Sequence, residues 1–119
     1  MNNSTHIATD INWYKAGTTK DVPENGGACA MIQGNQIAIF NFTRSNEWFA
    51  TDNMCPHKKQ MILSKGMIGD VSGEPKVACP FHKKTFSLKD GHCMSGDDYF
   101  IKTYPIKVEA NIIFIGLPK

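Results

Sequence analysis

Short apolar runs, many alternating with polar residues, recur from residue 11 onward and are closed by Gly, Pro, Asn or Asp. No long stretch keeps a helical apolar period with caps. Ile11-Asn12-Trp13-Tyr14-Lys15 reads as a first strand. Ala28-Cys29-Ala30-Met31-Ile32 and Gln36-Ile37-Ala38-Ile39-Phe40 flank Gln33-Gly34-Asn35, which has the turn chemistry of a hairpin, and Glu47-Trp48-Phe49-Ala50-Thr51 continues the meander. Met67 to Val71 and Pro75 to Ala78 surround Ser72-Gly73-Glu74, a second hairpin. Thr85 to Leu88 leads to the turn Asp90-Gly91. Tyr99 to Val108 and Asn111 to Ile115, around Glu109-Ala110, predict a closing hairpin. The architecture expected is all-β, with a flexible N-terminus over residues 1–10 and a single domain over 11–119.

Composition narrows the class without changing it. A chain of 119 residues that is 41% hydrophobic suffices for one core, burying about two-thirds of the unfolded surface. Thirteen Lys and Arg against eleven Asp and Glu leave a net charge of +2, which implies no general affinity for nucleic acid or an anionic membrane. The start has no basic segment followed by an apolar one, and nowhere do about 18 apolar residues run together, so a soluble, cytoplasmic protein is expected. In that setting the four cysteines read as reduced thiols available to metal rather than as two disulfides.

Two short motifs carry the chemistry: Cys55-Pro56-His57 and Cys79-Pro80-Phe81-His82. Each offers one thiolate and one imidazole from a turn that Pro stiffens. Zinc accepts two Cys and two His, but zinc fingers pair Cys with Cys and His with His, whereas each motif here mixes the two. Zinc, or no metal at all, stays an alternative. A mixed donor set suits two inequivalent irons, and C-x-H followed by C-x2-H resembles the Rieske iron–sulfur fold, in which two Cys hold one iron of a [2Fe–2S] unit and two His the other. The resemblance implies a Rieske-like domain of stacked antiparallel sheets with two cluster-binding loops, in a region of about 52–92, and Cys55, His57, Cys79 and His82 as ligands.

Neutral imidazoles in place of two thiolates make such a centre less negative than an all-Cys cluster, which raises its reduction potential. The implied job is one-electron transfer, with buried Cys55 and Cys79 and with His57 and His82 toward the electron partner. Lys58 and Lys59 follow the first pair and Lys83 and Lys84 the second, so a basic collar for partner docking is one expectation and four solvated lysines the other. Cys29, in an apolar strand, is expected in the core, as are Trp13, Trp48 and the Phe residues. His92 is expected in a turn role rather than as an alternative ligand, Cys93 has no partner at metal spacing, and His6, in the flexible start, carries no signal.

The loops lack the extra Cys that respiratory-type Rieske proteins add to each, which points to the ferredoxin-like branch. Leu63 to Asp70, Gly73-Glu74-Pro75, His82 to Leu88 and Asp90-Gly91-His92-Cys93-Met94 resemble the small subunit of NAD(P)H-dependent nitrite reductase, with Lys83 after the second His where Rieske ferredoxins usually place Gly. With Ala38-Ile39-Phe40 and the segment from Tyr104 to Gly116, the resemblance spans nearly the whole chain. It implies a one-electron relay or assembly subunit of an assimilatory-type enzyme that reduces nitrite to ammonium. Its partner would be a large subunit carrying FAD, sirohaem and a [4Fe–4S] cluster, with no substrate site or catalytic residue on this chain. The alternatives are a stand-alone Rieske ferredoxin for a ring-hydroxylating oxygenase and a cluster-free or zinc-binding structural subunit.

Overall fold

The structure, a computed structural model, describes residues 11–56, 59–81, 84–96 and 98–118. The expected flexible start therefore lies outside the described residues. Twelve strands and two short 3-10 turns make up the regular structure among those described, in agreement with the all-β expectation.

Strands β1 (Ile11–Thr18), β12 (Ile112–Pro118) and β11 (Ile106–Glu109) form one antiparallel sheet in that order. A second sheet has the order β10 (Thr103–Tyr104), β4 (Glu47–Asp52), β3 (Asn35–Phe42) and β2 (Gly26–Ile32). Two small sheets lead into the Cys-Pro motifs: β5 (Met54–Cys55) with β6 (Gln60–Met61), and β7 (Met67–Val71), β8 (Glu74–Ala78) and β9 (Thr85–Ser87).

Strand β3 divides the interior. Its unbroken run Ile37 to Phe40 is buried on both faces, as a continuous apolar strand requires. Ile37 and Ile39 join Ala50, Tyr104, Ile113, Ile115 and Leu117 in one core, which the two larger sheets share. Ala38 and Phe40 turn the other way, into a core with Leu63, Val77, Phe86, Leu88 and three cysteines, Cys55, Cys79 and Cys93.

The hairpins expected around Gly34 and Gly73 form with two-residue turns, Gln33-Gly34 and Ser72-Gly73, in which both residues have positive φ. That turn matches the right-handed twist of the flanking strands. The closing hairpin turns at Ala110-Asn111, also at positive φ. Its first arm differs from the expectation. Only Ile106–Glu109 pairs with β12, while Thr103–Tyr104 pairs with β4. Pro105 separates the two, because a residue without an N–H cannot continue a ladder. Its carbonyl still accepts the Gly116 N–H at 2.9 Å. The Tyr104 hydroxyl donates to Asp52 Oδ1 at 2.6 Å, and burial together with that carboxylate pushes the phenol well above its ordinary range.

Several residues expected inside are not. Phe81 is 57% and Phe100 69% exposed, and both lie in loops beyond the ladders. Trp13 is exposed on β1 and lies beneath the Lys107 ammonium, 4.4 Å from its ring centroid. Trp48 packs partly buried against the core shared by the larger sheets.

Candidate metal centre

Cys55 and Cys79, the cysteines of the two motifs, reach the same core from different strands. Cys55 ends β5, opposite Gln60 of β6, and the turn between them is closed by the Lys59 N–H, which donates to the Cys55 carbonyl at 2.6 Å. Lys59 holds this turn at φ +55°, a left-handed conformation that a non-glycine residue adopts only where its surroundings enforce it. Cys79 directly follows β8, and its N–H donates to the Lys84 carbonyl at 2.8 Å. Each of the two cysteines thus stands at one end of a backbone hydrogen bond that spans its motif.

Cys55 is fully buried and Cys79 1% exposed, in one apolar cluster with Leu63, Val77 and Phe86. No disulfide joins any of the four cysteines. His57, His82, Lys58 and Lys83 lie outside the described residues. Of the expected collar, Lys59 is exposed and Lys84 half-buried.

Gly66 explains why the loops approach so closely. An added Cβ there would run into the Ala78 carbonyl, one residue before Cys79, and lie 2.8 Å from Val77 Cγ2. Only a residue without a side chain lets the segment after the first loop pass the end of β8. A third segment packs beside β9: the Met94 N–H donates to the Thr85 carbonyl at 2.7 Å, and the Cys93 N–H to the Tyr99 carbonyl within the segment at 3.1 Å.

Cys29 is exposed on β2, contrary to the core position expected from its apolar strand. The strand lies at a sheet edge, and the thiol faces the polar side chains of Gln36 and Asn53 instead. Partial burial pushes its pKa up, opposed by the Ile37 backbone. His92 has the turn role expected. Its Nδ1 and its backbone N–H meet Asp90 Oδ1 at 2.5 and 3.0 Å. The Asp90 side chain raises the imidazole pKa, while the His92 backbone N–H lowers that of the carboxyl. Glu74 completes a group whose ligand atoms lie within 4.8 Å of one another. A groove of about 570 Å³ between Phe42, Arg44, Glu47, Ile68, Asp70 and Pro75 includes neither ligand cysteine in its lining.

Two buried cysteines, Cys55 and Cys79, from separate segments share one apolar cluster, and each is followed in the sequence by Pro and then a His. The sequence matches the Rieske-like [2Fe-2S] domain family over residues 12–116, a span that holds both ligand loops. The chain belongs to that family. This Rieske-like domain is 34% identical to the nitrite reductase (NADH) small subunit of Salmonella typhimurium over 101 residues, 85% of this chain and 94% of that one. It is likewise 34% identical to part of the nitrite reductase [NAD(P)H] large subunit of Klebsiella oxytoca, covering 87% of this chain but only 11% of that much longer protein. The ferredoxin subunit of a 3-phenylpropionate/cinnamic acid dioxygenase of Shigella flexneri is 37% identical over 111 residues, 92% of this chain and 97% of that one. Among solved structures, the Escherichia coli protein NirD superposes with a TM-score of 0.81 at 30% identity, over 92% of this chain and 99% of that one.

The donor chemistry of the Rieske-like domain fits such a cluster. A thiolate in apolar surroundings is penalised unless a cation neutralises it, and two thiolates on one ferric ion meet that need. Asn53, two residues before Cys55 and buried, went unnoticed in the sequence. Its type and its place just ahead of the first motif were its only signal.

Proposed function

We propose that the protein is the small subunit of an assimilatory-type NAD(P)H nitrite reductase, a cytoplasmic one-electron relay or assembly subunit in the reduction of nitrite to ammonium. Cys55, Cys79, His57 and His82 are the residues that would hold a [2Fe–2S] cluster, the thiolates on one iron and the imidazoles on the other. When bound, the cluster supplies one-electron transfer. The chain's own residues do the rest. Phe40, Leu63 and Phe86 wall off the thiols from water, the turns ending at Lys59 and Lys84 aim the two pairs, and Lys58, Lys59, Lys83 and Lys84 attract an acidic face of the partner.

The observation that carries this reading is that proteins like this chain occur in two forms, as a small subunit matched over 94% of its length and as a segment inside a nitrite reductase large subunit. A module that is a separate chain in one enzyme and fused in another works against the same partner, fusion merely raising its effective concentration. The partner would then be a large subunit that carries FAD, sirohaem and a [4Fe–4S] cluster.

The second reading, a stand-alone ferredoxin for a ring-hydroxylating oxygenase, is favoured by the 37% identity to a dioxygenase ferredoxin subunit. One experiment separates them. Anaerobically purified protein is analysed for iron, acid-labile sulfide and the electron paramagnetic resonance (EPR) spectrum of the reduced state, then added to a nitrite reductase large subunit supplied with NADH and nitrite. Two irons, a Rieske-type signal and faster ammonium formation support the proposal. Two irons and electron delivery to an oxygenase only would favour the ferredoxin, and an iron-free protein after reconstitution would overturn both electron-carrier readings and leave the cluster-free structural subunit.

A further inference from the structure

Asn53 is 2% exposed and has hydrogen-bond partners on every side. Its backbone carbonyl accepts the N–H groups of Ile62 and Leu63, both at 2.9 Å, and its Oδ1 accepts the Ser64 N–H at 2.7 Å. These three amides open the 3-10 turn Leu63–Lys65, where Ile62 as N-cap provides no side-chain bond. Amides at such an end have no partner within the turn and need one from outside. On its other side, Nδ2 donates to Gln36 Oε1 at 3.2 Å and reaches Cys29 Sγ at 3.5 Å, while the Asn53 N–H donates to the Gln36 carbonyl at 3.1 Å.

Everything between these two ties is the first ligand loop, residues 54–61. Its own ladder is two residues on each arm, too short to hold a shape in water. We propose that Asn53 is a positioning residue for the iron site: by binding both ends of the loop to the β2–β3 hairpin, it sets where the Cys55 thiolate stands relative to Cys79. The proposal rests on the reading of Cys55 as an iron ligand. The residue type follows from the geometry. Asp keeps an acceptor for Ser64 but has no N–H for Gln36 Oε1, and Ala loses both.

The test compares wild type, N53A, N53D and Q36A after anaerobic reconstitution, by the rate of iron loss to a chelator and by the EPR g values of the reduced protein. N53A is expected to lose iron about tenfold faster or more, with shifted g values. N53D, which keeps the acceptor for Ser64 but sets a second acceptor against Gln36 Oε1, and Q36A, which removes only the Gln36 side chain, are both expected to fall between N53A and wild type. A lowered melting temperature in N53A with wild-type g values and iron loss would mark a purely structural role and overturn the proposal. Should N53A not fold, Q36A decides, and an unchanged rate of iron loss there overturns it. Wild type that takes up no iron removes the iron-site reading, and this proposal with it. Wild type holding two irons beside an unaffected N53A removes only the role of Asn53. In metal-free protein, amide exchange at Ser64 is expected to speed up in N53A, which reports on the tie without any cluster.

Discussion

The two faces of β3 back two cores of different construction. On one face Ile37 and Ile39 meet Ile113, Ile115 and Leu117 of a seven-residue strand, in an aliphatic core whose walls are long ladders. On the other, Ala38 and Phe40 meet Leu63, Val77, Phe86 and three cysteines, contributed by strands of two to five residues and by loops. Strands that short are marginal alone. They are held by turn hydrogen bonds such as Lys59 to Cys55 and Cys79 to Lys84, and by the rigid strand behind them. One core draws on long ladders, and the other, built from short strands and loops, encloses Cys55 and Cys79.

That contrast can be broken most severely at the thiols. C55S or C79S is expected to abolish iron binding while the far-ultraviolet circular dichroism of an all-β protein persists. I115A, in the aliphatic core, is expected to lower stability by about 2–5 kcal/mol in a urea titration while leaving iron per folded molecule unchanged. F86A, in the core with the cysteines, should lose about 3–5 kcal/mol and iron as well. If both variants lost iron equally, the division of labour between the cores would fail.

A smaller effect belongs to Gly66, where the added methyl of G66A meets the Ala78 carbonyl. We expect a loss of about 1–3 kcal/mol by chemical denaturation, with faster iron release, since the strain falls next to Cys79. Ala110 is at φ +52° in the closing turn, far from both motifs in the chain. A110G relieves a left-handed conformation and should raise stability by about 1 kcal/mol without a change in the EPR spectrum.

The smallest effect is the pH dependence from Asp90 and His92. The His92 pKa is raised above 6.5, so its contribution is fully present below 6.5 and is lost as pH rises through the higher folded value. The Asp90 pKa is lowered below 3.8, so its contribution is present above 3.8 and is lost as pH falls through the lower folded value. D90N should therefore flatten the stability profile on the alkaline side of 6.5, and an unchanged profile would show that the exposed pair contributes nothing.

Local chemistry was enough to identify most ladders and to single out Cys55 and Cys79, which the structure buries in one cluster. Gly34 and Gly73 mark their turns because only certain residues adopt positive φ easily, and Cys-Pro with His nearby marks a metal turn at any place in a fold. Where local rules failed, the deciding contacts were distant. Cys29 sits in an apolar run but on an edge strand, and edge or centre depends on which strands pair, which composition does not encode. Phe81 and Phe100 look like core residues until the loops that carry them are placed outside it. Tyr99 to Val108 alternates like one strand, yet Pro105 parts it between two sheets.

The donor types, the all-β class and most of the turns follow from residue chemistry over a few positions of chain. That Cys55 and Cys79, from different sheets, share one buried cluster, and that a single Asn53 ties a loop to a hairpin behind it, follow from packing among residues far apart in the chain. Thiol ligation and turn geometry are properties of neighbours, whereas burial and loop placement depend on the whole set of strands that close around β3.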